Sequence, residues 1–343
     1  MQAIQFTAPK EIAFVDLHES TAPSPGEALV RTRRMGICGT DLSSYLGKFA
    51  YFAYPRIPGH ELGLEVVAVA TDVMNVQPGD RCSLEPYVND PATRTSQNGF
   101  PNCCPAVQVI GVHSDGGLRQ GLFAVPARKL HSGNELSYDQ LALVETLAIG
   151  YHAVQRGNPQ PGATVLVIGA GPIGLACLEF LKLMDAQIIV MDMVQSRLDF
   201  CRKNLGVHHA IAFQADGSHL AALEKITCSQ LADVVIDATG SPKSMSTCFS
   251  YAAFGGRVVY VGITAAELTF PHAAVFHRRE LTLLASRNAL PEDFGKIITL
   301  IREGKINTDL WITHRIRFNE VPAEFAKFTD PALGAIKVII EVN

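Results

Sequence analysis

Two patterns of hydrophobic and polar residues divide the chain. Up to about residue 150, short stretches alternate apolar and polar residues and are separated by turn signals such as Pro23-Ser24-Pro25-Gly26. A period of two is typical of strands that bury one face. The predicted strands cover residues 4–6, 12–15, 27–33, 63–70 and 123–125. They indicate a small, irregular β-barrel with long loops, where functional side chains commonly lie.

From Thr164 onward the pattern changes to continuous apolar runs, as expected for parallel strands covered on both faces. Predicted strands cover residues 164–168, 187–191, 233–237, 257–261 and 281–285, and predicted helices include 197–204 and 244–253. Alternating strands and helices predict an α/β class with a doubly wound parallel sheet. Helices are also predicted at 137–150 and 292–304, and strands at 312–318 and 335–342. We therefore expect a catalytic domain from residues 1–150, rejoined by about 290–343, and a nucleotide-binding domain from 151–289.

Length and composition narrow the functional classes. A chain of 343 residues suits two domains, and its net charge of −4 argues against a general nucleic-acid binder. No apolar run approaches the roughly 18 residues of a membrane span, and the first residues alternate rather than form a signal peptide. The eight scattered cysteines favour reduced thiols. We expect a cytoplasmic protein without a membrane or nucleic-acid partner.

The first apolar run of the second half leads directly into a dinucleotide fingerprint. Gly169, Gly171 and Gly174 form a G-x-G-x-x-G turn between a predicted strand and a predicted helix, and Asp192 ends the next strand. The helix N-terminus offers N–H groups to a pyrophosphate, and the Asp192 carboxylate would bind both ribose hydroxyls. It would repel a 2′-phosphate, which favours NAD over NADP. The candidate cofactor-binding residues are Gly169, Gly171, Pro172, Ile173, Gly174, Asp192, Arg197, Thr239, Val261, Gly262, Ile263 and Arg287.

A second group of residues has the chemistry of a catalytic zinc site. Cys38 and His60 supply a thiolate and an imidazole, and Asp41 can accept the second ring N–H of a ligating histidine. Glu145 lies in an apolar, helical stretch, where a carboxylate is costly unless it is paired or bound to a metal. Each residue also has an ordinary interpretation, since an isolated cysteine or histidine is commonly a core residue and a glutamate is commonly exposed.

These motifs together resemble the zinc-containing medium-chain alcohol dehydrogenases over essentially the whole chain. The resemblance is carried by Cys38-Gly39-Thr40-Asp41, Gly59-His60-Glu61, Val144-Glu145 and Gly169 to Gly174, and is strongest to sorbitol, threonine and sugar-acid dehydrogenases. It implies a GroES-like β-barrel joined to a Rossmann domain, an active site in the cleft between them, and a homodimer or homotetramer. The implied zinc ligands are Cys38, His60 and Glu145, with Glu61 as a possible alternate ligand, while Thr40 would pass the substrate proton.

Two departures from the family pattern affect these expectations. Relatives often bind a second, structural zinc through Cys-x2-Cys-x2-Cys-x7-Cys, and the corresponding positions here are Asp90, Thr93, Ser96 and Cys104. Since a closed zinc site needs four N or S ligands, we expect one catalytic zinc, no structural zinc, and a loop 85–107 held by packing alone. Ser43 stands where relatives often place a relay histidine, so the proton is expected to leave through water or the cofactor ribose.

The predicted activity is a zinc-dependent hydride transfer from a secondary alcohol to NAD. Hydroxyls and one arginine suit a polyol, sugar or sugar acid, and the candidate pocket residues are Ser43, Ser44, Tyr45, Phe52, Leu118 and Arg287. Tyr45 and Phe52 have an equally good interpretation as packing residues. Two alternatives remain open: a zinc-free reductase of the same fold, and a non-catalytic nucleotide-binding protein.

Overall fold

The structure, a computed structural model, describes residues 1–342. The chain forms two compact units, of which the first comprises Met1–Thr146 and the chain from Leu290 onward, and the second Leu147–Ala289. None of the helices found in residues 1–342 has the length and apolar character needed to cross a membrane.

The first unit is built on a mostly antiparallel sheet. The strands of this unit up to residue 132 are β1 (Gln2–Ala8), β2 (Glu11–Asp16), β3 (Glu27–Gly36), β4 (Glu61–Val69), β5 (Arg81–Leu84), β6 (Tyr87–Val88), β7 (Gln108–Val109), β8 (Leu122–Pro126) and β9 (Leu130–Ser132). Strands β1 and β2, and likewise β6 and β7, form separate two-stranded sheets. Helices α1 (Gly39–Tyr45) and α2 (Arg94–Gln97) lie in the loops, and α3 (Tyr138–Gly157) contains the boundary between the units.

The second unit is a six-stranded parallel sheet in the order β12-β11-β10-β13-β14-β15. The strands are β10 (Ala163–Ile168), β11 (Ala186–Asp192), β12 (His209–Ala212), β13 (Ala232–Asp237), β14 (Ala252–Tyr260) and β15 (Thr282–Ala285). Helices α4 (Pro172–Leu181), α5 (Gln195–Leu205), α6 (Ser218–Ile226) and α7 (Pro242–Thr247) connect them. The predicted α/β class with a doubly wound sheet is confirmed.

The chain then returns to the first unit through α8 (Pro291–Arg302), β16 (Ile312–Arg317), α9 (Val321–Glu324) and β17 (Lys337–Glu341). The main sheet of that unit runs β16-β17-β3-β4-β5-β9, and β8 also pairs with β3. The register between β3 and β17 places Gly36 opposite Ile339, and that between β3 and β4 places Gly36 opposite Glu61. These pairings set Lys337 and Glu61 on neighbouring parts of one sheet.

One predicted helix is wrong in its second half. The helix predicted for 244–253 ends at Thr247, a 3₁₀ turn covers Cys248–Tyr251, and β14 begins at Ala252. Ala252 pairs with Ala232 of β13, so strand pairing overrides the local helical pattern. The short elements β12 and α6 were not predicted, because polar residues interrupt their apolar periodicity.

Candidate metal centre and dinucleotide site

Three side chains of the first unit converge on a space the size of one ion. Cys38 Sγ, a ring nitrogen of His60 and a carboxylate oxygen of Glu61 lie within 4.8 Å of one another. Sulfur, imidazole nitrogen and carboxylate oxygen are ligands that zinc prefers. Within residues 1–342, His60 Nδ1 is also a buried atom without a hydrogen-bond partner. The donor set fits a zinc ion.

The start of α1 positions the sulfur of this group. Cys38 is the residue that caps the helix, and its side chain accepts a hydrogen bond from Thr40 N at 3.4 Å. In return, Asp41 Oδ2 accepts from Cys38 N at 2.9 Å. Two reciprocal hydrogen bonds of this kind satisfy otherwise unpaired N–H groups at a helix start. They hold Cys38 and Thr40 in one fixed turn.

Asp41 is buried beside His60, but its geometry differs from the predicted one. Asp41 Oδ1 lies 3.7 Å from His60 Nδ1, longer than a hydrogen bond. Burial raises the pKa of Asp41 above its ordinary value, against the opposing effect of His60. Burial alone would lower the pKa of His60, but Asp41 and Cys38 outweigh it, and the pKa is raised well above its ordinary value. The role of Asp41 as the partner of a ligating histidine stays a prediction.

A buried lysine that the sequence analysis did not identify forms an ion pair with the Glu61 carboxylate of this group. Lys337 Nζ lies 2.6 Å from Glu61 Oε1 and 2.7 Å from Glu61 Oε2, and both side chains are only 1% exposed. Thr146 Oγ1 donates to Glu61 Oε1 at 2.7 Å. Burial opposes ionisation of Glu61, but Lys337 outweighs it, and the pKa of Glu61 is lowered. Glu61 is therefore held as a carboxylate.

Glu145 lies next to this group in α3 but is not one of the three side chains within 4.8 Å. It is buried and accepts a hydrogen bond from the Tyr87 hydroxyl. Burial raises the pKa of Glu145 above its ordinary value, while His60 acts in the opposite direction. The structure thus brings Glu61, the predicted alternate ligand, into the group and leaves Glu145 bonded to Tyr87. The assignment of Glu145 as the third ligand stays a prediction.

The aromatic pocket candidates are packing residues in this structure. Tyr45 makes edge-to-face contacts with Phe6 and Phe325, and Phe52 packs against Phe6 and Tyr54. Both rings belong to the buried core of the first unit, as does Leu118. Ser43 lies half-buried in α1.

The loop from 85 to 107 is not held by packing alone, and that expectation was wrong. Thr93 Oγ1 lies 2.9 Å from Ser96 Oγ and 3.4 Å from Cys104 Sγ, while Asn89 Nδ2 donates to Ser96 Oγ at 3.0 Å. Thr93 also caps α2. Side chains at three of the four positions where the resemblance implies structural-zinc ligands therefore form hydrogen bonds here, with Thr93 contacting both Ser96 and Cys104.

In the second unit, the G-x-G-x-x-G stretch has the predicted strand–turn–helix setting. Gly169 follows β10 with φ +95°, a conformation that favours glycine. A Cβ on Gly174 would lie 1.7 Å from Gly169 O, so a side chain there would force α4 away from the turn. Pro172 and Ile173 start α4, and Gly171 caps it. The N–H groups of this helix start are available to an anion.

Asp192 ends β11 beside that turn and is bound to two backbone N–H groups. Its Oδ2 accepts from Ala170 N at 2.6 Å and its Oδ1 accepts from Val194 N at 2.7 Å. Arg197 Nη1 lies 4.0 Å from Oδ2. A carboxylate oxygen has two lone pairs, so both oxygens keep acceptor capacity for ribose hydroxyls. The carboxylate also orders the glycine turn, a role that the sequence analysis missed.

The remaining cofactor candidates follow the carboxyl ends of neighbouring strands. Thr239 follows β13, and Arg287 follows β15. Val261, Gly262 and Ile263 follow β14, where Val261 is buried and Ile263 is exposed. Ligands of open α/β sheets bind at this edge. The contacts of these residues with a cofactor stay predictions.

Three residues around the metal candidates were missed by sequence reasoning. Lys337 carried a signal, because a lysine between Ile336 and Val338 in an apolar strand needs a buried partner. Tyr87 and Thr146 carried none, since a tyrosine near a strand and a threonine in a helix are common.

Comparison with known families gives two matches that together cover most of the chain. Residues 24–135 match the alcohol dehydrogenase GroES-like domain, and residues 172–303 match the zinc-binding dehydrogenase family. L-galactonate-5-dehydrogenase from Escherichia coli K12 is 37% identical over 310 residues, which cover 90% of each chain.

Two solved structures extend the similarity over the full length. One is a crystal structure described as short chain alcohol dehydrogenase (rspB) from Escherichia coli CFT073, complexed with NADH; it has a TM-score of 0.91 at 27% identity and covers 99% of each chain. The other is a putative zinc-binding dehydrogenase from Sinorhizobium meliloti bound to NADP, with a TM-score of 0.88 at 26% identity, covering 99% of this chain and 98% of that one.

Proposed function

The chain belongs to the zinc-binding alcohol dehydrogenase family, and from this premise we propose that it oxidises a secondary hydroxyl of a sugar acid or polyol with NAD. The observation that carries the proposal is the convergence of Cys38, His60 and Glu61 in a chain that also has a complete dinucleotide fingerprint. The predicted catalytic domain, residues 1–150 and about 290–343, would hold the zinc, and residues 151–289 would hold the cofactor.

The proposed metal is a single zinc ion held by Cys38 and His60 together with a carboxylate from Glu145 or Glu61. When bound, zinc acts as a Lewis acid that lowers the pKa of a coordinated oxygen, for water to about 7. Metal binding requires a neutral imidazole, so His60 must release its proton. Lys337 keeps Glu61 charged and oriented, while Glu145 accepts a hydrogen bond from the Tyr87 hydroxyl.

The residues of α1 would handle the substrate proton. Thr40 directly follows the Cys38-Gly39 turn, and its backbone N–H is already fixed on Cys38 Sγ. Its half-buried side chain would accept the alcohol proton and pass it outward. Because Ser43 replaces the usual relay histidine, the proton would continue through water or a ribose hydroxyl.

Asp192 supports NAD rather than NADP as the cofactor. The carboxylate is anchored by Ala170 N and Val194 N, so it cannot turn away from a 2′-phosphate without losing both hydrogen bonds. Arg197 is near enough to soften this repulsion. We infer a strong preference for NAD with weak use of NADP.

The proposed substrate class follows from the relative that acts on L-galactonate and from the polar candidates Ser43 and Arg287. A carboxylate on the substrate would pair with a guanidinium such as that of Arg287. A polyol would use the same hydroxyl chemistry without that ion pair. We therefore propose that sugar acids are better substrates than polyols.

We further propose a homodimer or homotetramer in the cytoplasm. Strand β15 is an edge of the parallel sheet and exposes Leu283, the kind of edge that a second copy can pair with. All eight cysteines have free thiols, which suits a reducing compartment.

The decisive experiment measures NADH formation at 340 nm for a panel of aldonates and polyols, together with the zinc content of the purified protein. We expect one zinc per chain and turnover of at least one aldonate with NAD. Turnover without zinc would favour a zinc-free reductase, and cofactor binding without turnover would favour a non-catalytic nucleotide-binding protein.

A further inference from the structure

Asp237 is a buried carboxylate that the proposed mechanism does not use. It is the last residue of β13 and has no exposed surface. Its Oδ1 accepts hydrogen bonds from Thr239 N at 2.9 Å and from Thr239 Oγ1 at 2.7 Å, and its Oδ2 accepts one from Ser244 Oγ. Burying a carboxylate is costly unless it accepts several hydrogen bonds, and these three donors stabilise Asp237 in the interior.

The hydrogen bonds of Asp237 fix the turn that leaves β13. Thr239 is held at both its N–H and its hydroxyl, and Thr239 Oγ1 in turn accepts from Ser241 N at 3.0 Å. Ser244 ties the same carboxylate to α7. The carboxylate therefore connects the end of the strand, the turn and the following helix.

This turn is packed between the ends of the two neighbouring strands. A Cβ on Gly262 would lie 2.2 Å from Gly240 N, and a Cβ on Gly169 would lie 3.1 Å from Thr239 Cγ2. The main-chain oxygen of Asp237 accepts from Gly262 N at 3.1 Å. A displacement of the turn would thus change the spacing of the strand ends on both sides.

The strand order shows which part of a dinucleotide would lie there. The order β12-β11-β10-β13-β14-β15 reverses between β10 and β13, and dinucleotides bind across such a point. The glycine turn and Asp192 belong to β10 and β11, on the adenosine side. Asp237 belongs to β13, so the turn that it holds lies on the other side, with the nicotinamide half.

We propose that Asp237 is a positioning residue for the nicotinamide ring of the cofactor, acting through the Thr239–Gly240 turn that its carboxylate holds against Gly262. The inference rests on the proposed dinucleotide binding. It does not involve the metal candidates, all of which belong to the first unit.

The test compares two ligands that share the adenosine and pyrophosphate groups. Dissociation constants for NADH and for ADP-ribose, which lacks the nicotinamide, are measured by calorimetry on the full chain. Asp237→Ala leaves buried donors without an acceptor, and we expect NADH to bind about tenfold more weakly while ADP-ribose changes less than about twofold. Asp237→Asn keeps an acceptor for Thr239 and offers Ser244 a donor, so it should restore NADH binding to within about twofold.

A matched control lies at the other end of the same strand. Asp233 is exposed and accepts from Thr164 N at 2.8 Å, away from the carboxyl ends. Asp233→Ala should leave the ratio of the two dissociation constants unchanged. If Asp237→Ala does not fold, Ser244→Ala is used instead, because it removes one of the donors to Asp237. We expect it to weaken NADH binding about threefold without weakening ADP-ribose binding to the same extent.

If Asp237→Ala, or Ser244→Ala in its place, weakened the binding of NADH and of ADP-ribose equally, the positioning role would be overturned. If the parent protein bound neither ligand, dinucleotide binding itself would be refuted and the positioning role with it. A selective loss of NADH that Asp237→Asn restores supports the inference.

Discussion

The candidate metal centre and the candidate dinucleotide site are built in opposite ways. Around the metal candidates, the chemistry comes from side chains brought together by the sheet, and 276 residues separate Lys337 from Glu61. In the dinucleotide site, a continuous stretch from β10 to β11 supplies backbone N–H groups, a tight turn and one carboxylate. The first arrangement depends on tertiary pairing, whereas the second is largely determined by local sequence.

The two sites also differ in how they stabilise buried charge. Glu61 is balanced by Lys337, a full ammonium with almost no exposure. Asp192 is held by neutral backbone donors. Removing one member of a buried ion pair leaves an uncompensated charge, whereas removing a carboxylate bonded to N–H groups leaves unpaired neutral dipoles. Replacing one member of the Glu61–Lys337 pair should therefore lower the free energy of unfolding more than replacing Asp192.

The largest expected effect is that of Cys38→Ser. Replacing the sulfur should remove zinc and lower turnover by at least about 10⁴-fold, because a Lewis acid contributes several kcal/mol to the barrier. NADH binding, measured by fluorescence, should change less than about twofold, since the fingerprint lies in the second unit. The control is Cys103→Ser at an exposed thiol, which should keep zinc and activity. Turnover at the parent rate by Cys38→Ser would disprove the ligand assignment.

Lys337→Met tests the buried ion pair directly. Glu61 would then be buried without its ammonium partner, and we expect the free energy of unfolding of the metal-depleted protein to fall by roughly 3–5 kcal/mol in urea titrations. Combining it with Glu61→Gln should recover most of this loss, because no charge remains to be compensated.

An exposed pair provides the contrast for Lys337. Lys305 lies 2.8 Å from Glu303 with more than half of its side chain exposed, and Lys305→Met should leave the unfolding midpoint unchanged. Equal losses for the two lysines would show that burial does not distinguish these ion pairs.

Asp192→Gly should have a smaller effect, confined to the cofactor. Loss of the ribose contacts should raise the KM for NAD about tenfold, while the ratio of NADP to NAD efficiency increases. Because Ala170 N and Val194 N lose their acceptor as well, we expect NADP to gain little in absolute terms. Steady-state kinetics with both cofactors measure this, and an unchanged preference would refute the ribose role.

The smallest effect is expected in the loop from 85 to 107. Thr93→Val removes the hydroxyl that contacts Ser96 and Cys104 and that caps α2, and should reduce the free energy of unfolding by about 1 kcal/mol. Zinc content should not change. Thr95→Val, two residues away, leaves these contacts intact and serves as the control. A loss of zinc from Thr93→Val would show that this loop contributes to a metal site.

The contrast between the sites explains what the sequence could predict. The glycine turn, its strand and Asp192 were recognised because their spacing is local and specific. Cys38 and His60 were recognised by ligand chemistry, and the family resemblance placed Glu145 ahead of Glu61 as the third ligand. The orientation of the two carboxylates depends on Tyr87 and Lys337, which the sequence did not reveal. No local pattern reveals that β17 pairs with β3 and delivers that lysine. The second half of the predicted 244–253 helix was wrong for the same reason, because Ala252 pairs with a distant strand.

The position of Lys337 in β17 has a consequence for biosynthesis. A ribosome completes β3 and β4 long before it reaches residue 337, so Glu61 emerges without its counter-ion and must stay hydrated until β17 docks. Once residues 1–289 have emerged, the second unit is complete, but the shell around the metal candidates still lacks Lys337.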